Sequence, residues 1–319
     1  MPGSATPDTT DFDVAVVGGS YAGMSAALQL ARGRRRVLVL DSGQRRNRFA
    51  SHAHGVLTQD GRPPGDIAAD GRNQLLRYPN VTWVDGNVGT AEKVGDQFRI
   101  TLDTETDTET NTDSGTGTSY LAARLILATG VRDELPEVPG LAERWGRSVF
   151  HCPYCHGYEL NGAAIGCLAM GEMSVHQALV LPDWGPTTLF TNNYLEPDAE
   201  QLRQLALRKV SIERTPVTGI SGEHATIHLQ DGRTIDLAGL YIAPQMRQAA
   251  PLAQQLGCAI EDTPVGEMIQ TDEKQATTVP GVFACGDSAR AKGSVTFAMA
   301  DGAMAGIAAH ASLMFAGLE

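Results

Sequence analysis

Short apolar runs separated by glycine turns set the pattern at the start of the chain. Val14–Val17 is apolar throughout, a glycine-rich turn follows, Ala22–Ala31 is rich in small residues, and Val37–Leu40 is apolar again. Uninterrupted apolar runs of this kind are typical of parallel strands that are buried on both faces. We therefore expect a strand, a helix and a second parallel strand, which together indicate an α/β fold.

Further segments of the same kind recur along the chain. Short strands are expected at Val81–Val84 and Gln97–Leu102. Buried strands are expected within Leu125–Gly130 and Val282–Asp287, each of which leads into a turn that contains glycine. The small residues of Asp301–Leu313 predict a C-terminal helix after the last of these strands.

A second strand–helix–strand pattern lies in the middle of the chain. Gly162–Met170 predicts a strand, Val175–Leu179 a helix, and Thr188–Phe190 another strand. Two such units in one chain are expected when two nucleotide-type domains are present. The predicted fold class is therefore α/β with two Rossmann-like dinucleotide-binding domains.

Two segments lack any such pattern. His52–Asp70 is rich in glycine, proline and polar residues, and we expect it to be irregular and to lie over a ligand. Asp103–Ser119 is an acidic, threonine-rich run that cannot bury apolar surface. We expect this run to form an exposed hairpin tip without chemistry.

The overall composition is that of an ordinary globular protein of 319 residues, of which 42% are hydrophobic. The excess of acidic residues gives a net charge of -12, which would repel a phosphate backbone and argues against nucleic acid as a partner. No apolar run in the sequence is as long as a membrane span, and Met1–Asp13 is polar, unlike a signal peptide. We therefore expect a cytoplasmic protein without a membrane partner.

The turn after the first strand has the chemistry of a dinucleotide site. Gly18 allows a tight turn, Gly23 lets the helix approach the strand, and the helix N-terminus offers N–H groups to a diphosphate. Ser20 replaces the usual middle glycine but is small enough for close approach of the backbone. Asp41 ends the second strand, where an acid binds ribose hydroxyls. These features within one unit predict a bound dinucleotide.

Other candidate cofactor contacts lie farther along the chain. Asp287 ends a strand where a carboxylate can accept hydrogen bonds from cofactor hydroxyls, and Ser294 precedes a helix N-terminus that can direct N–H groups at a ring carbonyl. The arginines of Arg45–Arg48 could reach phosphates or adenine, or form a solvated turn, and they are not counted among the predicted contacts. The predicted cofactor-binding residues are Gly18, Gly19, Ser20, Tyr21, Ala22, Gly23, Asp41, Ser42, Thr129, Gly130, Gly286, Asp287, Ser294 and Val295.

Cys152 and Cys155 form a Cys-Pro-Tyr-Cys motif that is flanked by His151 and His156. Two cysteines at this spacing can close a small disulfide that exchanges with external thiols. A zinc site would need a second pair of ligands, and a structural disulfide fits poorly with a chain that lacks a secretory signal. A glutaredoxin domain would be smaller and would carry the pair near its first strand. We therefore interpret the cysteines as a redox couple and predict no metal site.

Together these motifs resemble the low-molecular-weight thioredoxin reductases over nearly the whole chain after Asp11. The resemblance rests on Gly-Gly-Ser-Tyr-Ala-Gly, on Ala-Thr-Gly at 128–130, on the cysteine pair, and on Ala-Cys-Gly-Asp-Ser at 284–288. It implies non-covalently bound FAD and a homodimer. It also implies a discontinuous FAD domain, 1–136 and 245–319, into which a second domain, 137–244, is inserted.

The same resemblance implies a role for each residue of the redox motif. Cys155 would be the sulfur that faces the flavin, and Cys152 the sulfur that exchanges with the substrate. His156 stands where the family has an acid–base aspartate. An imidazole titrates closer to pH 7 and could move the thiol proton, or it could simply be hydrogen-bonded at a helix start.

The middle of the chain departs from the family at the site for NADPH. Its turn reads Ala-Met-Gly-Glu-Met-Ser at 169–174, which places Glu172 near the expected diphosphate path. Thr191-Asn192-Asn193 stands where an arginine cluster would bind a 2′-phosphate, and the sequence has no Lys or Arg between Arg147 and Arg203. These departures are similar to those of the pyridine-nucleotide-independent branch, which includes dithiol oxidases of the gliotoxin and holomycin type and enzymes fed by ferredoxin or a second flavin.

The sequence therefore predicts an FAD-dependent dithiol/disulfide oxidoreductase that does not use NADPH, with Cys152, Cys155 and His156 as catalytic residues. Its substrate would be a small dithiol or a thioredoxin-like protein, and its electron partner would be O2, ferredoxin or a second FAD in the inserted domain. An NADPH-dependent thioredoxin reductase and a non-enzymatic flavin-binding redox sensor remain as alternatives.

Overall fold

The structure is a computed structural model that describes residues 11–103 and 117–318. The central part of the acidic, threonine-rich run, residues 104–116, lies outside the described residues, so the predicted hairpin tip stays a prediction. Among the helices of the described ranges, none combines the length and the apolar character that crossing a membrane requires.

The fold contains nineteen strands and seven α-helices. The strands are β1 (Asp11–Val17), β2 (Val37–Asp41), β3 (Val81–Asp85), β4 (Val88–Val94), β5 (Gln97–Leu102), β6 (Ser119–Leu127), β7 (Val131–Glu134), β8 (Val149–Phe150), β9 (Ile165–Leu168), β10 (Thr187–Phe190), β11 (Ser211–Glu213), β12 (Val217–Ser221), β13 (Ala225–Leu229), β14 (Thr234–Leu237), β15 (Gly239–Tyr241), β16 (Gln245–Gln248), β17 (Ile260–Thr263), β18 (Gly266–Ile269) and β19 (Val282–Ala284). The helices are α1 (Tyr21–Arg32), α2 (Pro64–Leu75), α3 (Pro153–His156), α4 (Met173–Val180), α5 (Ala199–Leu207), α6 (Leu252–Leu256) and α7 (Val295–Met314). These counts refer to the described residues.

The largest sheet follows from the buried apolar runs of the sequence. Its strand order is β3-β2-β1-β6-β5-β4, with β19 paired to β6. Strands β1, β2, β3, β6 and β19 are parallel to one another. Strand β5 runs antiparallel to both of its neighbours, β4 and β6. The carboxyl ends of β1, β2, β6 and β19 therefore meet at one edge of the sheet, where ligands bind in open α/β folds.

A second parallel sheet, in the order β11-β10-β9-β15-β8, is built from the middle of the chain. A three-stranded antiparallel sheet, β12-β13-β14, adjoins it in sequence. The α/β class with two Rossmann-type units, as predicted, is confirmed by these parallel sheets.

The chain passes between the two units through a pair of neighbouring strands. β7 leads out of the first unit, β16 leads back, and the two pair antiparallel with Gln245 opposite Glu134. The predicted domain limits at 137 and 244 fall just inside these two strands and stay a prediction. Because the two crossings lie side by side, the inserted unit is attached at a single place.

Two predicted boundaries were wrong. The segment His52–Asp70 is not irregular throughout, since α2 begins at Pro64. A proline suits the first helical turn, and Ile67 and Leu75 then supply the buried face. The C-terminal helix begins at Val295 rather than at Asp301, because the Ser294 side chain accepts a hydrogen bond from the Phe297 N–H and caps it.

The small residues of α7 allow it to pack closely on α1. A Cβ atom on Gly302 would lie 2.0 Å from the backbone oxygen of Ala22, and one on Gly306 would lie 2.5 Å from that of Ala26. Only glycine permits backbones to approach at this distance. The contact joins the helix behind the glycine turn to the last helix of the chain.

Substitution of valine for Gly302 is expected to destabilise the protein by about 2–3 kcal/mol, because the new side chain must push α7 away from α1. The free energy of unfolding in urea measures this change. Met304→Val, at an exposed position of the same helix, is the control and should stay within about 0.5 kcal/mol of wild type. Equal losses of unfolding free energy in the two variants would contradict the close contact between α1 and α7.

Candidate active site

One cavity of about 650 Å³ runs along the carboxyl edge of the large sheet and reaches α3 of the inserted unit. Both units therefore contribute to its wall. The predicted site residues that line it are Gly18, Ser20, Tyr21, Ala22, Ser42, Thr129, Gly130, Cys152, Cys155, His156, Asp287, Ser294 and Val295. The structure thus brings together residues from four distant parts of the sequence.

Four predicted contacts do not line this cavity but shape its wall. The Gly19 N–H donates to Asp41 Oδ1 at 3.0 Å, so this carboxylate holds the turn, and its predicted contact with ribose hydroxyls stays a prediction. A Cβ on Gly23 would lie 1.8 Å from the Gly18 oxygen. Gly286 has a φ of +72° and lies against Ala22. Glycine is required for packing at Gly23 and Gly286, and the predicted cofactor contacts of Gly19, Gly23 and Gly286 stay predictions.

The glycine turn leaves the N-terminus of α1 open towards the cavity. Gly18 has a φ of +104°, and a Cβ there would lie 2.2 Å from the backbone oxygen of Ala128. Ser20 stands at the N-cap with extended backbone angles, and α1 begins at Tyr21. First-turn N–H groups of a helix have no intrahelical partner and attract a diphosphate. The turn therefore fits the diphosphate of FAD.

Two polar atoms beside this turn also indicate a ligand. Within the described ranges, Arg45 Nε and Asn47 Oδ1 are buried without a hydrogen-bond partner, and both residues line the cavity. The Asn47 amide donates to the Tyr21 hydroxyl at 3.2 Å, which in turn donates to the Pro64 oxygen at 2.9 Å. A buried polar group without a partner costs about 1–3 kcal/mol, so a polar ligand is expected to complete these contacts. The residues present fit FAD.

Arg46 forms a buried ion-pair cluster at the cavity wall. It donates to Asp133 through Nε at 2.8 Å and Nη2 at 2.5 Å, and to Asp287 through Nη1 at 2.9 Å. Burial alone would lower the pKa of Arg46, but the hydrogen bonds and charges of the two carboxylates raise it above its ordinary value. One oxygen of Asp287 is therefore engaged with Arg46. Sequence reasoning left Arg46 and Asp133 out.

The cysteine pair lies where α3 begins. Cys152 is the N-cap, and the two Sγ atoms are 2.6 Å apart, with the Cys155 thiol donating to Cys152. That bond, together with the N–H groups of Cys155 and Tyr154, lowers the pKa of Cys152 despite its burial. The same bond and burial raise the pKa of Cys155 far above its ordinary value. Cys152 is thus the sulfur that carries the thiolate when the pair is reduced.

His156 follows the pair and is held as a neutral imidazole. Its ring stacks on Phe150, with centroids 4.7 Å apart. Burial lowers the pKa of His156, and nearby His54 lowers it further. In the described part of the chain, His156 Nε2 is buried without a hydrogen-bond partner. The ring is therefore available to take up a proton in the cavity.

A second imidazole, which the sequence did not indicate, faces the same cavity. His54 Nδ1 lies 3.4 Å from Glu159 Oε1 and 3.6 Å from Asp60 Oδ1. His54 belongs to the first unit and Glu159 to the inserted unit, so the pair bridges the two beside the cysteines. The sequence places two histidines, His52 and His54, close together, but only the fold shows that His54 is the one that contacts Glu159.

The reduced protein is expected to be alkylated by iodoacetamide at Cys152 well before Cys155, because the thiolate is the reactive form. Mass spectrometry after short exposures at pH 7 locates the modification. The Cys152 rate should rise with pH below the range of an ordinary thiol, in keeping with its lowered pKa. The comparison is Cys155→Ser, in which a hydroxyl replaces the thiol that donates a hydrogen bond to Cys152. First modification at Cys155 would contradict the assignment.

Comparison with known proteins agrees with this geometry. The chain is similar to thioredoxin reductase sirT of Leptosphaeria maculans, at 32% identity over 313 residues, covering 92% of both chains. It is also similar to thioredoxin reductase tcpT of Claviceps purpurea, at 32% identity, covering 95% of this chain and 94% of the other.

Solved structures of similar proteins have the same fold over nearly the whole chain. An oxidoreductase from Agrobacterium tumefaciens is 52% identical, with a TM-score of 0.90 and coverage of 96% of this chain and 99% of the other. The structure of HlmI is 31% identical, with a TM-score of 0.86 and coverage of 98% and 95%. The family profile of pyridine nucleotide-disulphide oxidoreductases matches residues 12–171 and 188–305. The chain is therefore an oxidoreductase that belongs to the pyridine nucleotide-disulphide oxidoreductase family.

Proposed function

We propose that the protein is an FAD-dependent dithiol/disulfide oxidoreductase that passes electrons between a substrate dithiol and FAD through Cys152 and Cys155, without NADPH. The observation that carries the proposal is the lack of positive charge at the nucleotide turn of the inserted unit. Family membership supports disulfide chemistry, but it does not decide which electron carrier the inserted unit accepts.

The turn between β9 and α4 is unsuited to a diphosphate. Glu172 is exposed at the N-cap of α4, so a carboxylate stands at the helix N-terminus where a diphosphate would lie. The Ser174 hydroxyl accepts from the Met170 N–H at 3.0 Å and is already engaged within the turn. A negative ligand would meet a negative side chain at this position.

The segment after β10 is equally unsuited to a 2′-phosphate. Asn192 Oδ1 accepts from the Val217 N–H at 2.8 Å, which ties this loop to β12. The sequence has no Lys or Arg from 148 to 202. The arginines that follow form ion pairs with carboxylates of their own unit: Arg203 with Glu200, Arg208 with Asp183, Arg214 with Glu196, and Arg233 with Asp231 and Glu213.

The helix of this turn is instead connected to the cysteine loop. Gln177 is buried in α4, and its amide donates to the backbone oxygens of His151, at 2.9 Å, and Ile242, at 3.1 Å. The family profile leaves out residues 172–187, the segment that contains α4. Both observations support the view that this helix has a structural task in place of nucleotide binding.

The proposed oxidation begins when a substrate thiolate attacks Cys152 and displaces Cys155 as a thiolate, which breaks the enzyme disulfide and forms a mixed disulfide. The second substrate thiol, deprotonated, attacks the substrate sulfur and expels Cys152. The substrate leaves as a disulfide, and two electrons remain on the enzyme dithiol. The low pKa of Cys152 makes it a good leaving group in this second step. Cys152 and Cys155 re-form their disulfide when they give up this electron pair, for which bound FAD would be the acceptor and an external oxidant the final acceptor.

His156 is proposed to move the protons of these steps. A neutral imidazole beside Cys155 can remove a thiol proton and return it later. In this direction the electron acceptor would be O2, whereas ferredoxin or a second FAD in the inserted unit would feed electrons to the enzyme in the direction of disulfide reduction. The substrate would be a small dithiol or a thioredoxin-like protein that reaches α3, where the Tyr154 side chain is exposed.

Under argon, dithiothreitol is expected to bleach the bound flavin, whereas excess NADPH or NADH should leave its absorbance unchanged. The reason is that Glu172 stands at the turn after β9 and that the sequence has no Lys or Arg from 148 to 202. Flavin extracted per chain, measured on the same sample, shows whether a second FAD is present. The control is Cys155→Ser, which retains flavin but should not be bleached by dithiothreitol. Rapid bleaching of wild type by NADPH would instead establish an NADPH-dependent reductase.

Replacement of His156 by asparagine is expected to slow flavin reduction by dithiothreitol about 10²-fold, because a general base is lost. Stopped-flow absorbance measures this rate. Since burial lowers the pKa of His156, the wild-type rate should fall only when the pH drops below the ordinary range of histidine, and the variant should lack this fall. His176→Asn, at an exposed position on α4, is the control. An unchanged rate in His156→Asn would remove His156 from the mechanism.

A further inference from the structure

Arg46 differs from the surface arginines because its ion pairs are inside the cavity wall. The side chains of Arg46 and Asp287 are each 21% exposed and that of Asp133 is 6% exposed. The three residues come from separate segments: a turn after β2, strand β7, and the turn after β19. All three guanidinium nitrogens donate to carboxylates, so the position of the charge is fixed.

The cluster faces the inserted unit at the cysteine pair. Arg46 and Asp133 line the same cavity wall as His151, Cys152 and Cys155. Burial, followed by the charge of Arg46, lowers the pKa of His151, so this neighbour is neutral and does not supply positive charge. Arg46 is therefore a fixed cation of the first unit in the cavity that holds the cysteines, which Arg45, Arg48 and Arg132 also line.

Negative charge appears on the cysteine pair each time it is reduced. In a cavity of low dielectric constant, a fixed cation stabilises such charge more strongly than it would in water. The charge of Arg46 acts in this direction on both sulfurs, lowering the pKa of Cys152 and opposing the rise in that of Cys155. The charge of Asp287 opposes that of Arg46 by raising the pKa of Cys155, whereas the two hydrogen bonds to Asp133 hold the guanidinium in place.

We propose that Arg46 is a positioning residue that keeps the reduced Cys152–Cys155 pair in its thiolate form from across the boundary between the two units. The proposal rests on the dithiol chemistry proposed above, but it does not depend on whether NADPH can supply electrons. Asp133 fixes the guanidinium plane through two hydrogen bonds, which lysine could not reproduce.

The test is the rate at which iodoacetamide modifies Cys152 in the reduced holoenzyme at pH 7 under argon. Arg46→Gln should slow this rate about tenfold, because each unit by which the thiol pKa rises reduces the thiolate fraction tenfold. Arg46→Lys keeps a charge but loses the bidentate geometry, and an intermediate rate is expected.

A second variant controls for misfolding, because Arg46→Gln alone leaves the buried Asp133 carboxylate without its ion-pair partner. Arg46→Gln with Asp133→Asn removes both charges, leaves the local net charge unchanged, and should show the same tenfold slowing. The matched control is Arg247→Gln, because Arg247 also bridges two carboxylates, Glu134 and Glu267, but is half exposed on the surface.

The outcomes separate this proposal from the proposed function. Slow alkylation in the double variant with a normal rate in Arg247→Gln supports the role of Arg46, even if NADPH proves able to bleach the flavin. A wild-type alkylation rate in the double variant would overturn it, whatever the electron donor. The dependence of the rate on pH provides a further criterion, since a purely structural role would lower the rate without moving its midpoint.

Discussion

A diphosphate has to be surrounded by hydrogen-bond donors or positive charge, and this constraint distinguishes the two units of the molecule. In the first unit, the open N-terminus of α1 and the buried Arg45 Nε face the same cavity. In the inserted unit, the corresponding turn presents Glu172. Two units of related topology thus present different groups to a diphosphate, and the proposed route of electrons through the protein rests on that difference.

The chemistry at the boundary between the units depends on an asymmetry within the cysteine pair. Two identical thiols at the N-terminus of α3 become different because one donates a hydrogen bond to the other. The donor keeps its proton and the acceptor carries the charge, so one sulfur is suited to exchange with substrates and the other to hold its proton until it is required. In the proposed mechanism, the imidazole of His156 and the guanidinium of Arg46 act on this pair from opposite units.

The sequence was sufficient to predict the parts of the fold whose signals are local. Buried apolar runs located the parallel strands, and Gly18 and Gly23 located the dinucleotide turn. Local signals failed at Pro64, where the nearby glycine and proline residues predicted an irregular segment although a helix begins there. They could not reveal the Arg46 cluster either, because its partners lie 87 and 241 residues away and meet it only when β7 and β19 are in place. The choice of His54 over His52 likewise depends on a contact with the inserted unit.

The arrangement of β19 and α7 also bears on how the polypeptide is made. The inserted unit is one continuous stretch and can fold while synthesis is still under way. The cavity beside the glycine turn cannot be complete before α7 has been made, because α1 packs against Gly302 and Gly306 of that helix. Until then the apolar surface of β1 and α1 has no cover from the C-terminal helix. Assembly of the cofactor site therefore has to wait until α7 has been made.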